Sequence, residues 1–293
     1  MTAITERRFD VAEDVSLYAR DRRVPGGDVG VPPLPFLLVH GLASNCRLWD
    51  GVAARLFELG HPVVAVDLRG HGRSDKPEAG YDFATLAADL VAVLDRLEWQ
   101  RAVVAGQSMG GNLALELAAV APARIVGVAG VDGGVVDLQR RWPVWEEAAA
   151  ALAPPRLEGT PRGEVEAHLR RTHPDWSDEG IEAFLANFEA LPDGTVRPWL
   201  TLERHMALVR SMWEHRPLAT LARVAAPLLL VMADTGDEWA EANREEARLA
   251  RAARPDVDVE WFSPADHDLH VQRPREVADL LHDRLGRVGA TSS

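Results

Sequence analysis

The stretch VVAGQSMGGNLALELAA, residues 103–119, changes character at Ser108. It begins as a buried strand and ends as a helix, with a hydroxyl at the join. Gly106 and Gly110 stand two positions to either side of that serine, giving G-x-S-x-G between strand and helix, the context a nucleophile elbow requires. A turn this sharp forces the serine into a strained backbone conformation, and glycines remove the side chains that would collide with the neighbouring strand and helix. The hydroxyl is pushed beyond the sheet's C-terminal edge, where free N–H groups and the positive end of the helix can stabilise an oxyanion.

Working outward, the chain alternates short apolar runs with helical patterns. FLLVH (Phe36–His40), PVVAVDL (Pro62–Leu68) and AVVAG (Ala102–Gly106) read as buried strands, followed by RIVGVAGV, PLLLVMA and VDVEWF from Arg124, Pro227 and Val257. An earlier strand is expected at Val15–Ala19, and VPGGDVGVPPLP (Val24–Pro35) reads as a loop. Between Phe83 and Leu97, Leu86, Leu90, Val93, Leu94 and Leu97 recur at helical spacing. Wholly apolar strands separated by helices describe an α/β chain with a parallel sheet covered on both faces.

The rhythm breaks from about Val135 to Arg216, where helical patterns such as VWEEAAAALA and EGIEAFLANFEAL occur without a buried strand. The expected organisation is therefore a core built from residues 1–134 and 217–293, with a helical cap over 135–216. Five of the nine tryptophans fall in the cap, and they serve either its small core or the wall of an apolar pocket. Trp142, Trp145 and Trp213 are the candidates for contact with substrate.

Serine is a weak nucleophile until a base takes its proton, so a histidine and an acid are required further along the chain. In EWFSPADHDLHVQRPREVADLL, a strand ends at Phe262 and a helix begins near Pro274, with His267 and His270 in the loop between them. His267, in the middle of that loop, is the expected base, with His270 as the alternative. The loop ADTGDEW after the strand Leu228–Met232 carries Asp234 and Asp237. Asp237, further into the loop, is favoured as the acid over Asp234. Asp132, in GVDGG, is the third candidate, read first as a turn-former beside Gly133 and Gly134.

An oxyanion site needs two donors. One is the N–H of Met109; the other is that of Leu42, exposed by the turn at Gly41 in LLVHGLASNCRLW. His40 is expected to fix that loop through a hydrogen bond, and Cys46 to be a small packing residue.

Composition narrows the alternatives. A net charge of −13 disfavours nucleic acid or an anionic membrane as partner, and one cysteine excludes an intrachain disulfide or a multi-cysteine zinc site. No apolar run reaches membrane-spanning length and no signal-peptide pattern opens the chain, so a cytoplasmic location is expected. GQSMGG lacks the glycine spacing and the lysine of a phosphate loop. No metal site is proposed, and oligomeric state is not legible.

Four segments in order, HGLASNCRLW, DLRGHGRSDKP (Asp67–Pro77), GQSMGG and DHDLHVQRP (Asp266–Pro274), resemble the α/β-hydrolase superfamily in its cap-bearing branch of small esterases and lactonases. The resemblance implies the α/β-hydrolase fold, a mostly parallel eight-stranded sheet with helices on both faces, and a Ser-His-Asp triad at its C-terminal edge without a cofactor. It implies Ser108 as nucleophile, His267 as base and the N–H groups of Leu42 and Met109 as oxyanion hole. MADTGD departs from the family's glycine-x-x-aspartate pattern by about one extra residue, which leaves Asp237 and Asp234 both open. The expected reaction is acyl transfer from a hydrophobic small-molecule ester or lactone to water. Carbon–carbon bond or thioester hydrolysis with the same triad, and a non-catalytic ligand-binding role, are the alternatives. Serine rather than aspartate at the elbow argues against the alkyl-enzyme chemistry of dehalogenases and epoxide hydrolases.

Overall fold

The computed structural model describes residues 4–23 and 33–287; most of the VPGGDVGVPPLP loop lies outside the described residues. Eight strands form the main sheet. They are β1 (Thr5–Ala12), β2 (Val15–Arg22), β3 (Phe36–Val39), β4 (Val63–Val66), β5 (Ala102–Gln107) and β6 (Ile125–Val131), then, after an insertion holding β7 (Thr160–Pro161), β8 (Phe188–Ala190) and β9 (Thr195–Pro198), β10 (Leu228–Ala233) and β11 (Asp258–Phe262). The order is β1-β2-β4-β3-β5-β6-β10-β11, with β1 and β2 antiparallel and the strands from β4 to β11 parallel.

β3, β4, β5 and β10 are buried along their whole length, as continuous apolar runs between two helical layers must be. Alternation divides their side chains between two cores. Leu37, Val39, Val64, Val104 and Leu230 pack with Leu86, Leu90, Val93 and Leu94 of the helix Phe83–Arg96. Phe36, Leu38, Val103, Val131 and Val231 pack on the other face with Val52 and Leu56 of the helix Asp50–Glu58 and Val277 and Leu281 of the helix Pro274–Leu281. The helix Met109–Val120, which leads away from Ser108, is buried at nine of its residues, which is why its sequence is apolar almost all round.

Two expectations need correction. The N-terminal strand is half of a hairpin whose first member, β1, went unread because only Phe9 of TERRFDVA is buried. The insertion between β6 and β10 is not wholly helical, since β7, β9 and β8 form a small antiparallel sheet in that order. Those strands are two to four residues long and half polar, too short to mark a period in the sequence. A separate apolar cluster, Val165, Leu169, Trp176, Ile181, Leu185 and Val196, holds this insertion together. It also takes in Leu48 and Val271 from the short helices Cys46–Trp49 and Leu269–Gln272 of the main domain.

Candidate active site

Ser108 joins β5 to the helix Met109–Val120 with φ 51° and ψ −119°, a conformation that costs a non-glycine residue roughly 1–3 kcal/mol. Backbone packing around it leaves no alternative. A Cβ at Gly106 would lie 1.9 Å from the carbonyl oxygen of Gly110, and one at Gly110 would lie 2.5 Å from the carbonyl oxygens of Val39 and His40. Gly133 presses on the other side, where a Cβ would stand 2.3 Å from Ser108 O and 2.7 Å from its N and Cα. The N–H of Ser108 donates to Val131 O at 2.9 Å, tying the turn to the end of β6. Its side chain caps nothing.

The loop after β3 lies against this turn. A Cβ on Gly41 would be 2.2 Å from Gln107 Oε1 and 3.2 Å from both Gln107 O and Ser108 Cβ, so glycine lets the two segments meet without displacing the Gln107 side chain. His40 is fully buried; its Nε2 accepts from Leu68 N–H at 2.9 Å, so its proton sits on Nδ1 and goes to Gly41 O at 2.7 Å. Burial lowers its pKa, and the neutral ring is a fixed strut for the loop carrying Leu42. Met109 is buried. Its N–H, first in the helix, has no acceptor within the helix. Cys46 is buried, its pKa raised well above the ordinary thiol value by that burial, and inert.

His267 occupies the loop after β11, where its Nδ1 lies 2.5 Å from Asp132 Oδ2. A carboxylate only accepts, so Nδ1 carries the proton and Nε2 is left with a free lone pair. The ring is 51% exposed and Asp132 is 4% exposed. Desolvation and the charge of Arg141 oppose a positive charge on the ring. The bond and charge of Asp132, with that of Asp268, outweigh them and raise the pKa of His267 above the usual histidine value. Gln107, next to Ser108, donates from Nε2 to His267 O at 3.3 Å and so links the serine turn to the histidine loop.

The preference for Asp237 is therefore corrected. Its carboxylate caps the helix Glu238–Ala253, accepting from Trp239 N and Ala240 N, each at 3.1 Å. Asp234 pairs with Arg244 at 2.7 Å and accepts from Ser263 at 3.1 Å. Asp132 arrives from one strand earlier, just past β6, with φ 43° and its N–H on Val231 O at 2.7 Å. Of the glycines beside it, Gly133 packs on the serine turn, while Gly134, at φ 94°, lies against Gly130 and Leu230. His270 is also separate from this pair: it is buried, tilted against Trp49 with ring centroids 4.5 Å apart, and burial pushes its pKa down to about 3.

The insertion grips both loops. Asn45 donates to Ala183 O at 2.8 Å and Asn187 Oδ1 at 2.5 Å, while Asp266 accepts from His173 Nδ1 at 2.8 Å and Trp176 Nε1 at 3.2 Å. Trp145 and Trp213 lie edge to face at 5.9 Å with Arg210 over both rings. Trp213 also donates to Trp142 O at 2.8 Å, and Trp142 meets Trp239 at 5.8 Å. The three rings thus belong to two aromatic pairs, Trp145 with Trp213 and Trp142 with Trp239, joined through the Trp142 carbonyl. Asn243, which donates to the Asp132 carboxylate from behind, and Arg141, which donates to Asn243 in turn, were missed. The available signal was a pair of polar residues, Asn243 and Glu246, on the buried alanine stripe of Ala240, Ala247 and Ala250.

Comparisons with known proteins agree with this architecture. Over 273 residues the chain is 28% identical to 2-(acetamidomethylene)succinate hydrolase of Mesorhizobium japonicum, covering 92% of this chain and 90% of that protein. An uncharacterised protein of Mycobacterium tuberculosis is 34% identical over 145 residues, a match that spans 47% of this chain and only 41% of that relative's length. Among solved structures, E-2-(acetamidomethylene)succinate hydrolase superposes with a TM-score of 0.76 at 24% identity, over 96% of this chain and 98% of that one. The thioesterase domain from the curacin biosynthetic pathway superposes with a TM-score of 0.75 at 22% identity, over 96% and 99%. Both likenesses establish the fold. Residues 36–280, from the first strand of the parallel sheet almost to the end of the helix Pro274–Leu281, match the alpha/beta hydrolase family, and the chain belongs to that family.

Proposed function

We propose that the protein is a serine hydrolase cleaving a carboxylic ester or lactone of a hydrophobic small molecule, with Ser108, His267 and Asp132 as its triad. Ser108 Oγ attacks the carbonyl carbon and its proton passes to Nε2 of His267. The oxyanion takes the N–H groups of Leu42 and Met109. Collapse expels the alcohol with the proton from His267, and water then repeats the sequence on the acyl-enzyme.

The observation that carries this reading is the protonated Nδ1 of His267 on Asp132 at 2.5 Å, which leaves Nε2 basic, in a loop tied to the strained turn of Ser108. Trp142, Trp145 and Trp213 are proposed to bound the acyl or alcohol side of the pocket through the insertion. A thioester or an acyl group bearing a carboxylate is the second reading. It is favoured by the likeness to a succinate hydrolase across 92% of the chain and to a thioesterase domain.

The test is hydrolysis of p-nitrophenyl esters from acetate to a long acyl chain, together with a succinyl ester and an acyl thioester, by wild type and Ser108→Ala. Turnover lost in Ser108→Ala supports the serine mechanism, and the preferred acyl group assigns the class. Turnover in Ser108→Ala within about tenfold of wild type would sink it, since a nucleophile should matter by far more.

A further inference from the structure

A chain of buried polar groups continues past the His267–Asp132 pair. Asp132 Oδ1 accepts from Ala233 N at 3.0 Å and from Asn243 Nδ2 at 2.9 Å. Asn243 is 4% exposed, and its Oδ1 accepts from Arg141 Nη2 at 2.6 Å. Arg141 in turn is clamped by Glu246, with Nε to Oε1 at 2.8 Å and Nη2 to Oε2 at 2.6 Å, both side chains being under 10% exposed. Glu246 Oε1 also accepts the N–H of Asp137 at 3.1 Å, and the face of Trp239 lies 4.3 Å from the guanidinium.

We propose that Asn243 is a positioning residue for Asp132, with Arg141 fixing which way its amide points. This inference rests on the triad reading above. An asparagine amide can turn over and present oxygen where nitrogen stood. Beside a carboxylate, that reversal would set acceptor against acceptor. Arginine has donors only, so the Arg141 contact obliges the amide oxygen to face it and the amide nitrogen to face Asp132. With Oδ1 held by two N–H donors, the carboxylate cannot rotate, and Oδ2 is kept for His267. Glu246 neutralises Arg141, so Asp132 receives a dipole from this side rather than a full charge competing with the imidazole. Asn243 and Glu246 lie one turn apart on the helix Glu238–Ala253, while Arg141 ends the first helix of the insertion, Leu138–Arg141. The acid is thereby referenced to the insertion as well as to the sheet.

The test measures the second-order rate of labelling by a fluorophosphonate as a function of pH, with the adduct located by mass spectrometry, in wild type, Asn243→Leu and Asn243→Asp. Thermal melts check that each variant is folded. Asn243→Leu should slow labelling of Ser108 about tenfold to a hundredfold, the range seen when hydrogen-bond partners behind a functional ligand are removed. Asn243→Asp has the same shape but sets a second carboxyl in the amide's place, where the amide nitrogen stood 2.9 Å from Asp132 and two carboxylates cannot both ionise freely. It should slow labelling, because the group facing Asp132 has no donor left once the pair loses its shared proton. In Asn243→Leu, which adds no charge, the acid limb should move down because Asp132 is no longer held on the imidazole; a purely structural role would leave that limb in place. Folded variants with the wild-type rate and an unmoved limb would overturn the role of Asn243 alone. If Asn243→Leu does not fold, the isosteric Asn243→Asp decides by itself. A wild type that is not labelled at Ser108 would overturn the triad reading and this inference together.

Discussion

His267 and Asp132, 135 residues apart in sequence, meet with Nδ1 of the ring 2.5 Å from the carboxylate, while Asp237 spends its carboxylate on the first turn of the helix that follows it. Substituting the two acids should separate these roles. Asp132→Asn should lower ester hydrolysis about a thousandfold or more, because the imidazole loses the partner that fixes its tautomer. Asp237→Asn should keep activity within about tenfold. Parallel kinetics of the two variants decide between them.

The pH dependence follows from the raised pKa of His267. A general base must be neutral, so activity is lost as pH falls through that value, and the acid limb of kcat/KM should lie above the ordinary histidine value of about 6.5. Asp132→Asn removes the bond and charge that raise it, so in any residual activity the limb should move to lower pH. A limb that stayed in place would mean that another group is being titrated.

His270 is buried with both ring nitrogens unpartnered among the described residues. Leaving buried polar atoms unbonded is costly, at about 1–3 kcal/mol for each group. His270→Leu, of similar volume, should melt no lower than wild type and keep most of its activity, whereas His267→Ala should be inactive. A marked fall in melting temperature for His270→Leu would show that the ring is bonded after all.

Gly133→Ala tests the backbone packing that presents Ser108. The new Cβ would lie 2.3 Å from Ser108 O, and backbone atoms cannot yield as a flexible side chain would. Labelling of Ser108 by a fluorophosphonate should fall at least about a hundredfold, since small displacements of a reacting group carry that scale of penalty. An unchanged labelling rate would mean that the turn does not depend on Gly133.

Much of the architecture was legible locally. FLLV, VVAV and LLLVMA are apolar throughout because they are buried on both faces, and the period of Leu86, Leu90, Val93 and Leu94 follows from one helix face meeting the sheet. The short strands of the insertion were not, since β7, β8 and β9 are held by pairing with one another rather than by apolar runs of their own. The tryptophans of the insertion could be counted in the sequence. Their mutual packing, Trp145 on Trp213 and Trp142 on Trp239, depends on how separate helices dock.

The sequence by itself determined the order of the buried strands of the parallel sheet, the place of Ser108 at a strand-to-helix join, and the glycines that such a turn needs, because each depends on residues within a few positions of one another. Only the tertiary structure decided which aspartate faces His267. Asp132, Asp234 and Asp237 are alike as residues, and all follow strands of the parallel sheet at its C-terminal edge. What separates them is which loop crosses which strand end, and which carboxylate is already engaged by a helix N-terminus or an arginine. That choice is made by contacts spanning more than a hundred residues, among them Asn243 on Asp132 and His267 on Asp132, and no local pattern encodes them.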